Sequence, residues 1–208
     1  YNYADTDIQT GDKGYDLAEE LGIPMVIMEP VKGGSLASLP KEVVAPFADY
    51  NPEASTASWA LRWVASKPNV KVVLSGMSTP EQVEDNLRTF HPFRPLSLKE
   101  KELVSEVSRR IKQRTKNGCT GCAYCMPCPF GVNIPKNFHI WNELAMYGNK
   151  AKAEQAYFKD LSEKERADQC HECGKCEEVC PQGLSIRENL KEAAKELSVL
   201  KETVENPS

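Results

Sequence analysis

The first 118 residues contain no cysteine, and all eight cysteines fall between positions 119 and 180. Thiol chemistry is therefore excluded from the first half and concentrated in the second. Long apolar runs are missing too. The longest, Ile23-Pro24-Met25-Val26-Ile27-Met28, is far shorter than the roughly 20 residues that span a bilayer, so no membrane is expected. No basic stretch followed by an apolar one opens the sequence, which removes a reason to expect export. Positive charge is not in excess, and a formal net charge of −4 gives nucleic acid no footing. Thiols without an export signal favour reduced metal ligands over disulfides, and the expected location is cytoplasmic. The sequence starts on Tyr1 instead of Met, and an upstream portion is expected.

With 208 residues, 40% of them hydrophobic, the chain has material for one large domain or two small ones. In the cysteine-free part, Tyr15 to Leu21 reads as a short helix closed by Gly22. Ile23 to Met28 is short and apolar enough for a fully buried strand, and a loop from Glu29 through Gly33-Gly34 follows. Trp59, Leu61, Trp63, Val64 and Ala65 recur at helical spacings within 53–66, and Val70 to Leu74 reads as a second strand. Thr79-Pro80-Glu81-Gln82 starts another helix, with Thr79 as N-cap, Pro80 in the first turn and Gln82 placed to close a capping box. Helix, strand, loop, helix, strand, helix is the alternation of an α/β parallel sheet. Pro92 and Pro95 mark a linker. Ser97-Leu98-Lys99-Glu100 then opens a charged helix to about Lys116, with Leu103, Val107 and Ile111 on one stripe. Residues 135–168 read as two or three helices and 185–204 as another amphipathic one.

Two cysteine runs dominate the second half. Cys170-His-Glu-Cys173-Gly-Lys-Cys176-Glu-Glu-Val-Cys180-Pro181 has the C-x2-C-x2-C-x3-C-P spacing in which three thiolates hold one 4Fe–4S cube and the fourth reaches another. Cys119, Cys122, Cys125 and Cys128-Pro129 repeat the pattern with the last gap shortened to two residues. Crossed ligation is expected: Cys119, Cys122, Cys125 and Cys180 at one cluster, and Cys170, Cys173, Cys176 and Cys128 at the other. Structural zinc takes four ligands as two pairs, which suits two triplets with trailing Cys-Pro poorly. Disulfides would need an oxidising compartment. Arg114, Lys116, Lys136, Lys175 and Arg187 are cations available to offset cluster charge, although for any one of them solvated surface is the reading to prefer.

Residues 119–181 resemble two-cluster bacterial ferredoxins. The 41 helical residues between Cys128 and Cys170 are more like the α-helical ferredoxin fold of succinate dehydrogenase iron–sulfur subunits. That resemblance implies one-electron transfer between neighbouring clusters. The segments Leu21 to Gly34, Ala60 to Val64 and Val73 to Leu87 resemble, in order, the last third of an aldo/keto reductase (β/α)8 barrel, with Tyr1-Asn2-Tyr3 at the end of strand six. The pairing is similar to a known group of predicted iron–sulfur aldo/keto reductases. Phosphate sites of such barrels follow strands seven and eight. By resemblance, Pro30, Val31, Lys32, Gly33 and Gly34 flank the pyrophosphate of NAD(P)H, Gly76 and Ser78 approach the adenosine phosphate, and Gln82, Asp85 and Asn86 lie beside adenine.

The same resemblance aligns Met28 with a position that commonly carries a nicotinamide-stacking aromatic, and leaves NAD and NADP both open. Its catalytic Tyr, Lys, Asp and His come from strands without counterparts here, so no catalytic residue is assigned. His91, His139 and His171 are not substitutes. A hydride carrier delivers two electrons and a cube accepts one, so a flavin is admitted as an intermediary. The expected architecture is α/β: residues 1–95 the C-terminal part of an aldo/keto reductase-like barrel, 96–118 a linker helix, and 119–208 a ferredoxin-like domain with two 4Fe–4S clusters. Expected partners are the missing N-terminal barrel portion and an electron-transfer protein. The competing readings are an electron-transfer or docking module, or a structural iron–sulfur or zinc tail without catalysis of its own.

Overall fold

A computed structural model describes residues 1–8 and 10–205, with side chains to position 201. It divides into two compact units, Tyr1–Gln113 and Arg114–Ser208.

The first unit runs α1 (Gly11–Glu20), β1 (Met25–Ile27), α2 (Lys41–Tyr50), α3 (Thr56–Ala65), β2 (Val70–Val73), α4 (Pro80–Phe90) and α5 (Leu98–Gln113). The strands pair in parallel, with Met25 opposite Val70 and Ile27 opposite Val73. α2 and α3 supply the long connection that a parallel pair requires. The expected αβ alternation is present, with one addition. Helix α2 escaped the sequence reading because Pro46, inside it, reads as a breaker, although Val43 and Phe47 lie one turn apart and are both buried. The strand expected to be fully buried is not. Ile27 is enclosed, but Val26 is 57% exposed and Met28, just beyond the strand, 67%. Among the described residues β1 has a neighbour on one edge only, so one face and one edge stay open.

Helices supply most of this unit's core. Trp59 of α3 stacks on Phe47 of α2 with ring centroids 4.3 Å apart, and Trp59 is fully buried. The segment assigned above to a linker helix, α5, packs on α2 and α3 within the first unit through Val104, Val107 and Ile111. Its capping box forms as read: Ser97 N–H donates to Glu100 Oε2 at 2.8 Å, and Glu100 N–H to Ser97 Oγ at 3.3 Å. Glu100 also pairs with Arg62 of α3 at 2.7 Å.

The second unit holds α6 (Ile134–Tyr147), α7 (Lys150–Glu154) running into a wider π turn, α8 (Lys175–Glu178) and α9 (Ile186–Glu205). No strand occurs among its described residues. Asn133 caps α6, Pro135 sits in its first turn, and Gly148 ends it in the left-handed conformation that glycine adopts without cost. α6 packs on α9, burying Phe138, Ile140, Leu190, Ala193 and Leu197, while Trp141 Nε1 donates to Glu196 at 2.9 Å. No helix among the described residues is long and apolar enough to cross a membrane.

This unit contains an internal repeat. Cys128-Pro-Phe-Gly-Val-Asn-Ile134 leads into α6, and Cys180-Pro-Gln-Gly-Leu-Ser-Ile186 leads into α9. Each begins with a tight turn: Gly131 N–H donates to the Cys128 carbonyl at 3.0 Å, and Gly183 N–H to that of Cys180 at 3.1 Å. The triplets match as well. Residues two and four places after the first cysteine have positive φ in both: Gly121 and Ala123, Glu172 and Gly174.

Replacing Trp59 with Ala removes the aromatic stack and leaves a cavity, and is expected to cost about 3–5 kcal/mol. Urea unfolding of the intact chain checks this. A loss below about 1 kcal/mol would contradict the placement of this core.

Candidate functional site

Seven of the eight thiols lie on loops and Cys176 lies in the short α8, and the fold brings them together as two sets. Cys119, Cys122, Cys125 and Cys180 line one narrow pocket of about 20 Å³. Cys128, Cys170, Cys173 and Cys176 line a second, of about 290 Å³, which Cys125 also touches. In each set the triplet comes from one half of the repeat and the fourth thiol from the Cys-Pro turn of the other. All eight cysteines are free. Among the described residues no three His, Cys, Asp or Glu side chains gather as a site for a single metal ion. The donor chemistry, four thiols per set with turns that leave backbone N–H groups nearby, suits iron–sulfur clusters.

Burial pushes the Cys125 thiol above its ordinary range, and Cys119, Cys122 and Cys180 add to the shift. Burial also pushes Cys176 up to about 11, with Glu177 and Cys170 adding to it. Ligation requires thiolates, so metal binding by these sets is coupled to proton release.

Residues that the cysteine pattern did not reveal hold the loops in place. Asn142 of α6 is buried, and its Oδ1 accepts from Lys116 N–H at 2.9 Å and Asn117 N–H at 3.0 Å. Its Nδ2 donates to the Asn117 carbonyl at 2.8 Å. Asn117 Oδ1 in turn accepts from Cys119 N–H at 2.8 Å, so two asparagines in relay fix the entry to the first triplet. At the second set, His171 stacks on Phe130 with centroids 4.1 Å apart. Of the five cations considered above, only Lys175 and Arg187 line a thiol pocket. Arg114 donates to the Ala145 carbonyl and Lys116 pairs with Glu196. Lys136 is exposed, as are His91 and His139.

The first unit carries a separate pocket of about 600 Å³ beyond the C-terminal ends of β1 and β2. Pro30, Val31, Gly33, Gly34, Gly76, Ser78, Gln82 and Asn86 line it, as does Met28. Lys32 and Asp85 do not: Lys32 pairs with Asp5 at 2.7 Å, and Asp85 accepts from Ser55 Oγ at 2.5 Å. Tyr1 and Asn2 lie beside the end of β1, where the Tyr1 amine donates to the Met28 carbonyl at 2.8 Å, but they form no strand. A Cβ added at Gly33, Gly34 or Gly76 would meet nothing within 4 Å, so the backbone there is open to a ligand. Thr79 caps α4 as read. Gln82 Oε1 takes the N–H of Ser78 at 2.7 Å instead of that of Thr79, which holds the loop above the helix start. Pro80 has no N–H and Gln82 N–H is taken by Thr79 Oγ1, so what this start offers an anion is the field of the helix. These residues suit a nucleotide phosphate.

Residues 9–109 match the model of the aldo/keto reductase family, and residues 118–184 match that of the 4Fe-4S dicluster domain. No curated protein and no solved structure matches the chain.

Asn142→Ala strands the buried Asn117 N–H and removes the partner of the part-buried Lys116 N–H, and is expected to cost about 1–3 kcal/mol, the range for one unpaired buried donor. Thermal unfolding of the chain checks this. A change under about 0.5 kcal/mol would show that Asn142 does not hold the entry to Cys119.

Proposed function

Because an aldo/keto reductase family segment here precedes a 4Fe-4S dicluster domain, we propose that the chain is the iron–sulfur part of an aldo/keto reductase-like oxidoreductase. Single electrons pass to or from a barrel active site of which this chain supplies only a portion. Cys119, Cys122, Cys125 and Cys180 hold one 4Fe–4S cluster, and Cys170, Cys173, Cys176 and Cys128 hold the other. The observation that carries this reading is the sorting of the eight thiols into two pockets, each lined by a triplet and the distant Cys-Pro thiol. Bound clusters supply one-electron chemistry. The protein supplies the thiolates, the turns that aim them and the apolar wall of α6 and α9.

The 600 Å³ pocket is proposed to take NAD(P)H. Pro30, Val31, Gly33 and Gly34 give the pyrophosphate a close backbone approach, Gly76 and Ser78 face the adenosine phosphate, and Gln82 and Asn86 lie by the base. Lys32 and Asp85, turned to other partners, act at most on the loops. A flavin between a two-electron donor and the clusters belongs to the same proposal. The open face of the strand pair, with Val26, Met28, Val72 and Leu74 exposed, is a surface that further barrel strands would cover. A redox protein is the second expected partner.

Anaerobic preparation with iron and sulfide quantitation, and EPR before and after dithionite, tests the cluster assignment. About eight irons and eight sulfides per chain with an interacting reduced signal are expected from two cubes. Zinc without sulfide would overturn the redox reading, and iron that cannot be reduced would leave a structural tail. For the nucleotide, Gly76→Trp fills the pocket from a position with free space around it. It is expected to weaken NAD(P)H binding at least about tenfold, or about 1.4 kcal/mol, in a fluorescence titration. Equal binding by both proteins would remove the nucleotide from this pocket.

A further inference from the structure

The internal repeat makes the two thiol pockets counterparts, and they can be compared residue by residue. Val132, Ile134 and Leu190 line the second pocket where Leu184, Ile186 and Phe138 line the first. The correspondence breaks one residue into each helix. After Ile134 comes Pro135, which lines the first pocket, and after Ile186 comes Arg187, which lines the second.

Arg187 is held in place. Its Nε donates to Glu177 Oε2 at 2.9 Å, a second guanidinium nitrogen lies 2.8 Å from the same oxygen, and its backbone N–H donates to Glu177 Oε1 at 2.9 Å. The guanidinium lies against the loop between Cys173 and Cys176: a Cβ on Gly174 would stand 3.8 Å from its Cζ. Glu177 grips the fork and does not itself line the pocket. The other charged side chains on that lining are Glu172 and Lys175, one of each sign. No charged side chain lines the first pocket, and it is the narrower of the two.

We propose that Arg187 makes the Cys128–Cys170–Cys173–Cys176 site the more positive of the two in reduction potential, so that the first electron added to the chain settles there. This rests on the iron–sulfur reading above. Reduction adds one electron and one negative charge to a site that is already anionic. A fixed cation and greater access of water both favour the reduced form, and both are found at the second pocket. Glu172 and Lys175 offset each other, and the Arg187–Glu177 pair turns its guanidinium to the pocket wall while the carboxylate stays off the lining. The two sites are thus built on one plan and separated in potential chiefly by a single side chain.

A redox titration of the full chain, followed by EPR and with iron and sulfide counted for each variant, tests this. R187Q is expected to lower the more positive midpoint by about a tenfold change in the one-electron equilibrium, 59 mV, and leave the other in place. R187K keeps the cation and is expected to retain most of the original value. P135R places a cation at the equivalent position and is expected to raise the more negative midpoint. A wild-type chain without two reducible signals overturns the iron–sulfur reading itself. Two signals that R187Q leaves unmoved, or a shift of the more negative one instead, overturn only the role of Arg187. If R187Q loses iron, P135R decides: a raised lower midpoint supports the proposal, and an unmoved one overturns it.

Discussion

Three cysteines spaced two residues apart reach three corners of an iron–sulfur cube, and the second unit is organised by how the fourth thiol arrives. It comes each time from the other half of the repeat, on a Cys-Pro turn that leads directly into a helix. Cys180 joins the pocket of the first triplet and Cys128 that of the second. In the proposed ligation neither half completes a set by itself. The packing of α6 on α9, which begin six residues beyond those two cysteines, holds the halves in register. The apolar core of this unit and its proposed metal sites are in that sense one structure.

The first unit follows a different logic. Its helices bury a complete core around Trp59, Phe47, Val104 and Val107, while its two parallel strands remain partly uncovered. The pocket sits where such a sheet is expected to offer one, past the carboxyl ends of the strands and at the start of a capped helix. Three glycines without neighbours at their Cβ positions keep that rim low, and the Ser78–Gln82 bond fixes its upper edge. No cationic side chain lines the pocket, so the proposed nucleotide binding would draw on backbone approach and the field of α4.

Much of this was legible in the chain because the signals are local. The two cysteine triplets follow from spacing, and the starts of α4 and α5 follow from Thr79 and Ser97 with their partners three residues on. What was not legible depends on contacts distant in sequence. Pro46 concealed α2, whose helical conformation is held by packing against α3 and α5. Lys32 and Asp85 carry the right neighbours for a nucleotide but are taken by Asp5 and Ser55. Asn142 acts on Cys119 through Asn117 from 23 residues away, and no motif marks it. Arg187 was one cation among five until the fold set it opposite Pro135 in the repeat. Spacing identifies a ligand, whereas only packing tells a wall residue from a solvated one.

Crossed ligation is most directly tested by site-selective loss of the two reduced EPR signals. Cys180→Ser and Cys122→Ser are expected to perturb one and the same signal, and Cys128→Ser and Cys173→Ser the other. If Cys180→Ser instead perturbs the signal affected by Cys173→Ser, each run holds its own cluster, and the exchange of thiols between the halves is contradicted.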